Sequence, residues 1–259
     1  LDEGTTARSA DDFHARLDAT GAMLGSGAMR DMAWLSLRTL TAEPQRAEAL
    51  DLLAELLRGP RFDEAAFKRQ RDQAIAGLKQ AEESPGTLGG RAFFAALYGD
   101  HPYASPTNGT LESVGRLTLE DVKRFHRQFY VAKNMTIAIV GALTRDEAEA
   151  LATRLASELE PGEAAAALPP LPPYQPKTQH LEFASAQSHV YVGQRGIARE
   201  DPDYFPLVVA NHVLGGNGVV SLLFEEIREK RGLSYSVESP FEPMALPGPY
   251  MATLQTSSE

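Results

Sequence analysis

The chain has 259 residues, 43% of them hydrophobic, with a formal net charge of −10 and a pI near 5.2. That acidity opposes non-specific nucleic-acid binding, because phosphates are repelled; there is no polybasic membrane patch and no apolar run long enough to span a bilayer. Cysteine is absent, which excludes disulfides and thiolate chemistry and leaves the redox compartment open.

The opening LDEGTT shows neither an initiator Met nor a signal peptide, and the closing LQTSSE stops within a strand-like pattern. The chain therefore reads as a fragment, with room for a targeting segment upstream. Ser9 is a good N-cap, and Asp12 completes a capping box before a helix with Phe13 and Leu17 on one face. Alternation in MAWLSLRTL (Met32–Leu40) places Ala33, Leu35 and Leu37 on one side of a strand. Pro44 suits a first helical position, and Leu50, Leu53, Ala54 and Leu57 form the apolar stripe of a helix that Gly59-Pro60 stops. Asp63 caps the next helix, which runs to about Glu83. Thr118 and Asp121 form a capping box before VKRFHRQFY. NMTIAIVGAL (Asn134–Leu143) is rich in β-branched residues and reads as a buried strand, followed by a helix over Thr144–Leu159.

PGEAAAALPPLPPYQP (Pro161–Pro176) is the clearest boundary, because its proline pairs favour extended backbone and block both helix and sheet ladders. Beyond it, HLEFAS and SHVYVGQRG read as strands and Tyr204 to about Leu214 as a helix. The glycine-rich Gly215–Gly218 comes next, then a helix and a strand from Ser221 on. Residues 1–160 form a first domain, 161–176 a linker and 177–259 a second domain too short to be a complete copy of the first. The mixture predicts an α+β fold, an α/β sandwich of helices on sheets.

Chemistry is sparse on local grounds. The six histidines, His14, His101, His126, His180, His189 and His212, include no helical pair four apart, so the zincin spacing is missing. His180 and Glu182 would share one side of a strand, either as a metal pair or as a solvated polar face. The run Gly215–Gly218 lacks the Lys-Ser/Thr of a phosphate loop and reads as a turn between helices. No Ser is flanked as a nucleophile elbow. In LFEEIREKRGLSYSV (Leu223–Val237), Ser221 caps the helix, Glu225 and Glu226 sit near its positive end, and Lys230 and Arg231 lie in its last turn. Gly232 is the left-handed stop, and Leu223, Phe224 and Ile227 form the buried stripe. Arg228 and Tyr235 have no part in this scheme; they are either solvated decoration or a site.

Three blocks decide between those readings. SLLFEEIREKRGLSYSVES (Ser221–Ser239), preceded by ANHVLGGNG, resembles the second-domain signature of the pitrilysin/insulinase/mitochondrial-processing-peptidase family of zinc metallopeptidases. Gly99–Gly141 is similar to that family's first-domain block, and EGTTARSADDFHARLDATGA to its early block. The resemblance implies two homologous domains with helices packed on mainly antiparallel sheets, the second cut short here, in a peptidase that encloses its substrate. It also implies that Arg228 and Tyr235 bind substrate near the scissile bond. The family holds zinc with an inverted H-x-x-E-H helix and a Glu on a later helix. In this chain the first motif would fall upstream of Leu1, and Gly77 stands where the distal Glu is expected. No catalytic residue and no metal ligand is therefore assigned to this chain. The expected protein is a bacterial, non-catalytic, substrate-binding subunit of a heterodimeric zinc metalloendopeptidase. Its partners are an H-x-x-E-H-bearing homologue that carries the zinc and a peptide substrate. Two alternatives stand: a complete zinc peptidase whose motif lies upstream, and a degenerate scaffold or peptide-binding protein. The family suggests a periplasmic location, with the cytoplasm as the alternative.

Overall fold

The computed structural model describes residues 1–258; Glu259, the last residue of the expected second domain, lies outside the described residues. The fold is α+β, mostly helical, and its described strands form two small antiparallel sheets. The chain divides into two compact units, each assembled from separate stretches. The first comprises Leu1–Ala28, Ala33–Ile75 and Leu111–Leu168; the second comprises Met29–Met32, Ala76–Thr110 and the residues from Pro169 onward. The Pro-rich stretch 161–176 carries neither helix nor strand, as prolines without a backbone donor dictate. No described helix is long and apolar enough to cross a membrane.

In the first unit, α1 (Ala10–Ala19) starts at Ser9, whose hydroxyl accepts from the Asp12 N–H at 3.2 Å. The expected box is only half made, because the Asp12 carboxylate accepts from Arg8 at 3.1 Å instead. Strands β1 (Met23–Ala28) and β2 (Ala33–Arg38) pair antiparallel with Leu24 opposite Leu37 and Ser26 opposite Leu35. Leu35 and Leu37 face the covered side as expected, whereas Ala33 is exposed. Helix α2 (Gln45–Arg58) buries two faces rather than one stripe. Ala49, Leu52 and Leu56 pack with Phe13, Leu17 and Ala22, while Ala54 and Leu57 pack with Leu155. Each large apolar side chain so buried contributes about 1.5–3 kcal/mol.

Helix α3 (Glu64–Glu82) follows, then α4 (Pro85–Tyr98) of the second unit, and the first unit resumes with α5 (Leu111–Arg116) and α6 (Leu119–Phe129). The α6 capping box forms in full: the Thr118 hydroxyl accepts from Asp121 N–H at 3.2 Å, and the Asp121 carboxylate accepts from Thr118 N–H at 2.9 Å. Hydrogen bonds from the Thr118 hydroxyl and N–H, and then from Arg124, pull the Asp121 carboxyl down from 3.8 to about 2. A depressed carboxylate stabilises the fold above its unfolded value and loses that contribution as pH falls through its folded value. Asp121→Asn should therefore flatten the stability profile between 3.8 and about 2, measured by circular-dichroism melting across that range. Helix α7 (Arg145–Ala156) repeats the device with Thr144 and Glu147.

Two expected strands are not strands. Residues 135–140 carry neither helix nor strand, with Met135, Ile137 and Ile139 half covered and Val140 fully exposed, and no described strand pairs with them. β-Branched residues favour the extended conformation, yet a ladder needs a partner. Here Met135 and Ile137 instead pack against the Leu155 cluster. Likewise 180–185 forms no ladder, and His180 and Glu182 are exposed, paired only with each other at 3.0 Å.

In the second unit, β3 (Gln187–Arg195), α8 (Tyr204–Asn211), β4 (Ser236–Glu238) and β5 (Pro249–Ser257) follow, with sheet order β3-β5-β4. Helix α4 lies on β3 and has no counterpart among the expected elements. Gly86, Gly89 and Gly90 lower its propensity, each by about 1 kcal/mol relative to Ala. They are tolerated because Ser84 caps the helix, Pro85 begins it, and Tyr191 of β3 lies against the glycines. A Cβ on Gly89 would come within 2.6 Å of the Tyr191 ring, and the Tyr191 hydroxyl donates to Gly86 O at 2.6 Å. At the other end of α4, His101 is buried; its Nδ1 accepts from the Tyr103 N–H at 3.1 Å, so Nε2 carries the proton and donates to Pro169 O at 3.0 Å.

Candidate substrate-binding site

The candidate site grows out of the segment Ser221–Val237. Ser221 is buried, and its hydroxyl accepts from the Phe224 N–H at 3.3 Å, starting the helix where expected. The helix then widens into a π turn over Phe224–Glu229, closed by the Lys230 N–H donating five residues back to Glu225 O at 2.9 Å. Such turns are rare and frequently sit at functional sites. Lys230 bridges Glu225 at 2.9 Å and Glu226 at 2.5 Å, and Arg231 reaches the Glu226 carboxylate at 2.7 Å. These bonds, Lys230 first, hold the Glu226 carboxyl below its usual range. All four side chains are largely exposed, so the pairs add little stability.

Gly232 ends the helix with φ +63°. Its N–H donates to Arg228 O at 2.9 Å and the Leu233 N–H to Ile227 O at 3.0 Å, a paired closure that needs the left-handed conformation. Gly232→Val should cost about 1–2 kcal/mol, because Cβ crowds the carbonyl in that conformation. Urea denaturation of the purified variant measures it, and a neutral effect would contradict the turn.

This turn brings Arg228 and Tyr235 together. The Arg228 guanidinium carbon lies 4.6 Å from the Tyr235 ring centroid and 4.6 Å from the Phe224 ring centroid. Phe224 is buried, and Tyr235 is 78% exposed. Each cation–π contact contributes roughly 0.5–1 kcal/mol at exposed sites and about 2 when desolvated. The nearest carboxylate oxygen, on Glu229, is 3.8 Å from Arg228 Nε, beyond hydrogen-bond range. Among the described residues, neither the guanidinium donors nor the Tyr235 hydroxyl has a hydrogen-bond partner. A cavity of about 420 Å³ opens beside them, lined also by Gln187, Ser234, Gln255 and Thr256, with Arg228 its one charged group among the described residues. The arrangement offers hydrogen-bond donors to an acceptor that brings several carbonyl oxygens, as an extended peptide does. Phe224 was expected only as part of the buried stripe; nothing in its sequence position reveals that its ring also supports a cation.

The described residues do not form a zinc site. No group of three His, Asp or Glu residues lies close enough to hold a metal ion. Gly77 is exposed on α3, and a Cβ added there would meet nothing within 4 Å. The histidines are scattered: His126 is wedged between Phe62 and Tyr130, where burial lowers its pKa, and His189 lies on β3 beside Gly86. The Gly4-Thr5 step that marks the early block has a structural task. Thr5 is fully buried and donates to Glu55, which also accepts from Arg8 at 3.1 Å. The run Gly215–Gly218 was expected as a turn between helices; instead Gly215 and Gly216 end a π turn over His212–Gly216, Asn217 is the turn residue and Gly218 opens a short 3₁₀ helix, with the Ser239 N–H donating to Gly215 O at 3.1 Å.

A family model described as the peptidase M16 inactive domain matches residues 116–259, and one described as insulinase (peptidase family M16) matches residues 2–111. An uncharacterized zinc protease of Mycobacterium leprae is 30% identical over 280 residues, covering 100% of this chain and 61% of that protein. One of Streptomyces coelicolor is 29% identical over 247 residues, covering 92% and 53%. The chain thus spans little more than half the length of these curated relatives. The crystal structure of a peptidase M16 inactive domain from Pseudomonas fluorescens aligns with a TM-score of 0.95 at 39% identity, over 100% of this chain and 63% of that one. Pitrilysin aligns with a TM-score of 0.66 at 17% identity, over 98% and 28%, a likeness of fold alone. With the two family models together covering nearly the whole chain, this protein belongs to peptidase family M16.

Proposed function

We propose that this chain is the non-catalytic, substrate-binding subunit of a heterodimeric zinc metalloendopeptidase that encloses peptide substrates. One observation carries the reading: the Arg228 guanidinium lies 4.6 Å from the Tyr235 ring centroid, with no hydrogen-bond partner for either side chain among the described residues, which also form no zinc site. Arg offers five donors in a fixed fork and Tyr one O–H. Together they grip backbone carbonyls of an extended peptide without reading its side chains, which suits sequence-tolerant proteolysis. The partner subunit supplies the zinc and its activated water. This chain holds the peptide in register and offers donors where charge develops on the scissile carbonyl oxygen.

A second reading, a complete zinc peptidase, is favoured by the naming of the relatives as zinc proteases and by their greater length. The two separate cleanly. The full-length protein is purified with and without an H-x-x-E-H-bearing homologue, its zinc is measured by atomic absorption, and cleavage of reduced casein is assayed. The expected result is no stoichiometric zinc and no cleavage alone, and cleavage with the homologue. Retained zinc with cleavage by this protein alone overturns the subunit assignment.

A further inference from the structure

The Arg228 guanidinium carbon lies 4.6 Å from the centroids of two rings of opposite character. Tyr235 is 78% exposed and Phe224 only 7%. The Phe224 ring is fixed by burial, and its N–H is tied to the Ser221 hydroxyl at 3.3 Å. Tyr235 has no such anchor among the described residues. Phe224 and Arg228 are four residues apart within the π turn, on one face of the helix. Among the described residues no carboxylate lies within hydrogen-bond reach of the guanidinium, and Glu229 at 3.8 Å is the nearest. An arginine whose one printed carboxylate contact, to Glu229, is as long as 3.8 Å samples many rotamers. The buried ring is what limits this one.

We infer that Phe224 is a positioning residue: its buried ring orients the Arg228 guanidinium, and through it Tyr235, so that the two substrate donors present as one preorganised unit. The inference deepens the substrate-binding reading and rests on it. A planar guanidinium resting flat on a ring face keeps its N–H bonds in its own plane, parallel to the ring, so they point outward toward a ligand rather than into the support. Preorganisation lowers the ordering cost at the moment of binding, so it shows as affinity. The ring contributes by its π face and not by its volume alone, which distinguishes this role from core packing.

Phe224→Leu keeps an apolar side chain and removes the π face, whereas Phe224→Tyr keeps the face. The first readout is the Arg228 Nε–H resonance in nitrogen-15 spectra of the full-length protein, assigned with Arg228→Lys. Two flanking rings shift it upfield. Phe224→Leu should move it toward the value of a free arginine, and Phe224→Tyr should leave it in place. The second readout is affinity for fluorescein-labelled reduced casein. Phe224→Leu should weaken binding by about 3- to 30-fold, the range of one cation–π contact, and Phe224→Tyr should restore most of it. An unmoved resonance in folded Phe224→Leu overturns the positioning role, as does an equal loss of affinity in the Leu and Tyr variants. If Arg228→Ala leaves casein affinity unchanged while the resonance responds as expected, the substrate-binding reading fails and the positioning role stands.

Discussion

Arg228→Ala is expected to lower casein cleavage by the heterodimer we propose about 10²- to 10³-fold, the usual loss when a preorganised donor to a developing oxyanion is removed. Tyr235→Phe should fall in the same direction. It keeps the ring that stacks on Arg228 at 4.6 Å and loses a single O–H, so its effect isolates the hydrogen bond from the stacking. The kinetic split is informative. A fall in kcat at constant KM places these donors on the transition state, whereas a rise in KM at constant kcat places them on ground-state peptide binding. Stability should barely move for Tyr235→Phe, within about 0.5 kcal/mol, because the side chain is 78% exposed. Unchanged cleavage by an intact heterodimer carrying either variant would sink the role assigned to that residue.

Tyr98→Ala is expected to destabilise the second unit by about 3–5 kcal/mol, the range for emptying a buried aromatic site. Tyr98 is fully buried; it stacks on Phe94 at 5.9 Å, meets Tyr103 edge-on at 5.5 Å and carries the Arg195 guanidinium 5.4 Å above its ring. Its hydroxyl donates to Pro247 O at 3.1 Å. Burial pushes its pKa well above the usual phenol range, so this donor stays protonated across physiological pH. Tyr98→Phe keeps the ring and removes one hydrogen bond, at a cost of about 1–3 kcal/mol because the Pro247 carbonyl is left without its donor. Urea denaturation of the two variants measures the difference. An Ala variant no less stable than the Phe variant would show that the ring is not what holds this cluster together.

The Met29–Met32 turn shares that cluster, and its role there is invisible in the sequence. Tyr103 donates to the Asp31 carboxylate at 2.9 Å, and Arg30 lies 3.7 Å above the Phe94 ring. The partners are more than sixty positions apart. No periodicity or capping pattern links them, so the unit to which the hairpin turn belongs is a tertiary fact.

What the residues determined alone is local. Ser9, Thr118 and Ser221 cap their helices, Gly232 stops one, Lys230 pairs with Glu226, and the alternation of Leu35 and Leu37 sets the covered face of β2. These all follow from bonds spanning two to four residues or from side-chain alternation, so short stretches suffice. The family blocks likewise marked Arg228 and Tyr235. Packing decided the rest. Helix α4 forms despite three glycines because Tyr191, more than a hundred residues later, needs the space they leave. Residues 135–140 form no strand despite their β-branched composition, because a strand exists only with a partner. The contact between Arg228 and Tyr235 depends on the turn at Gly232, the widened helix before it and the buried Phe224 ring beneath. The sequence held the two donors, but only the folded chain stacks them, because their separation is set by where the apolar ring is buried.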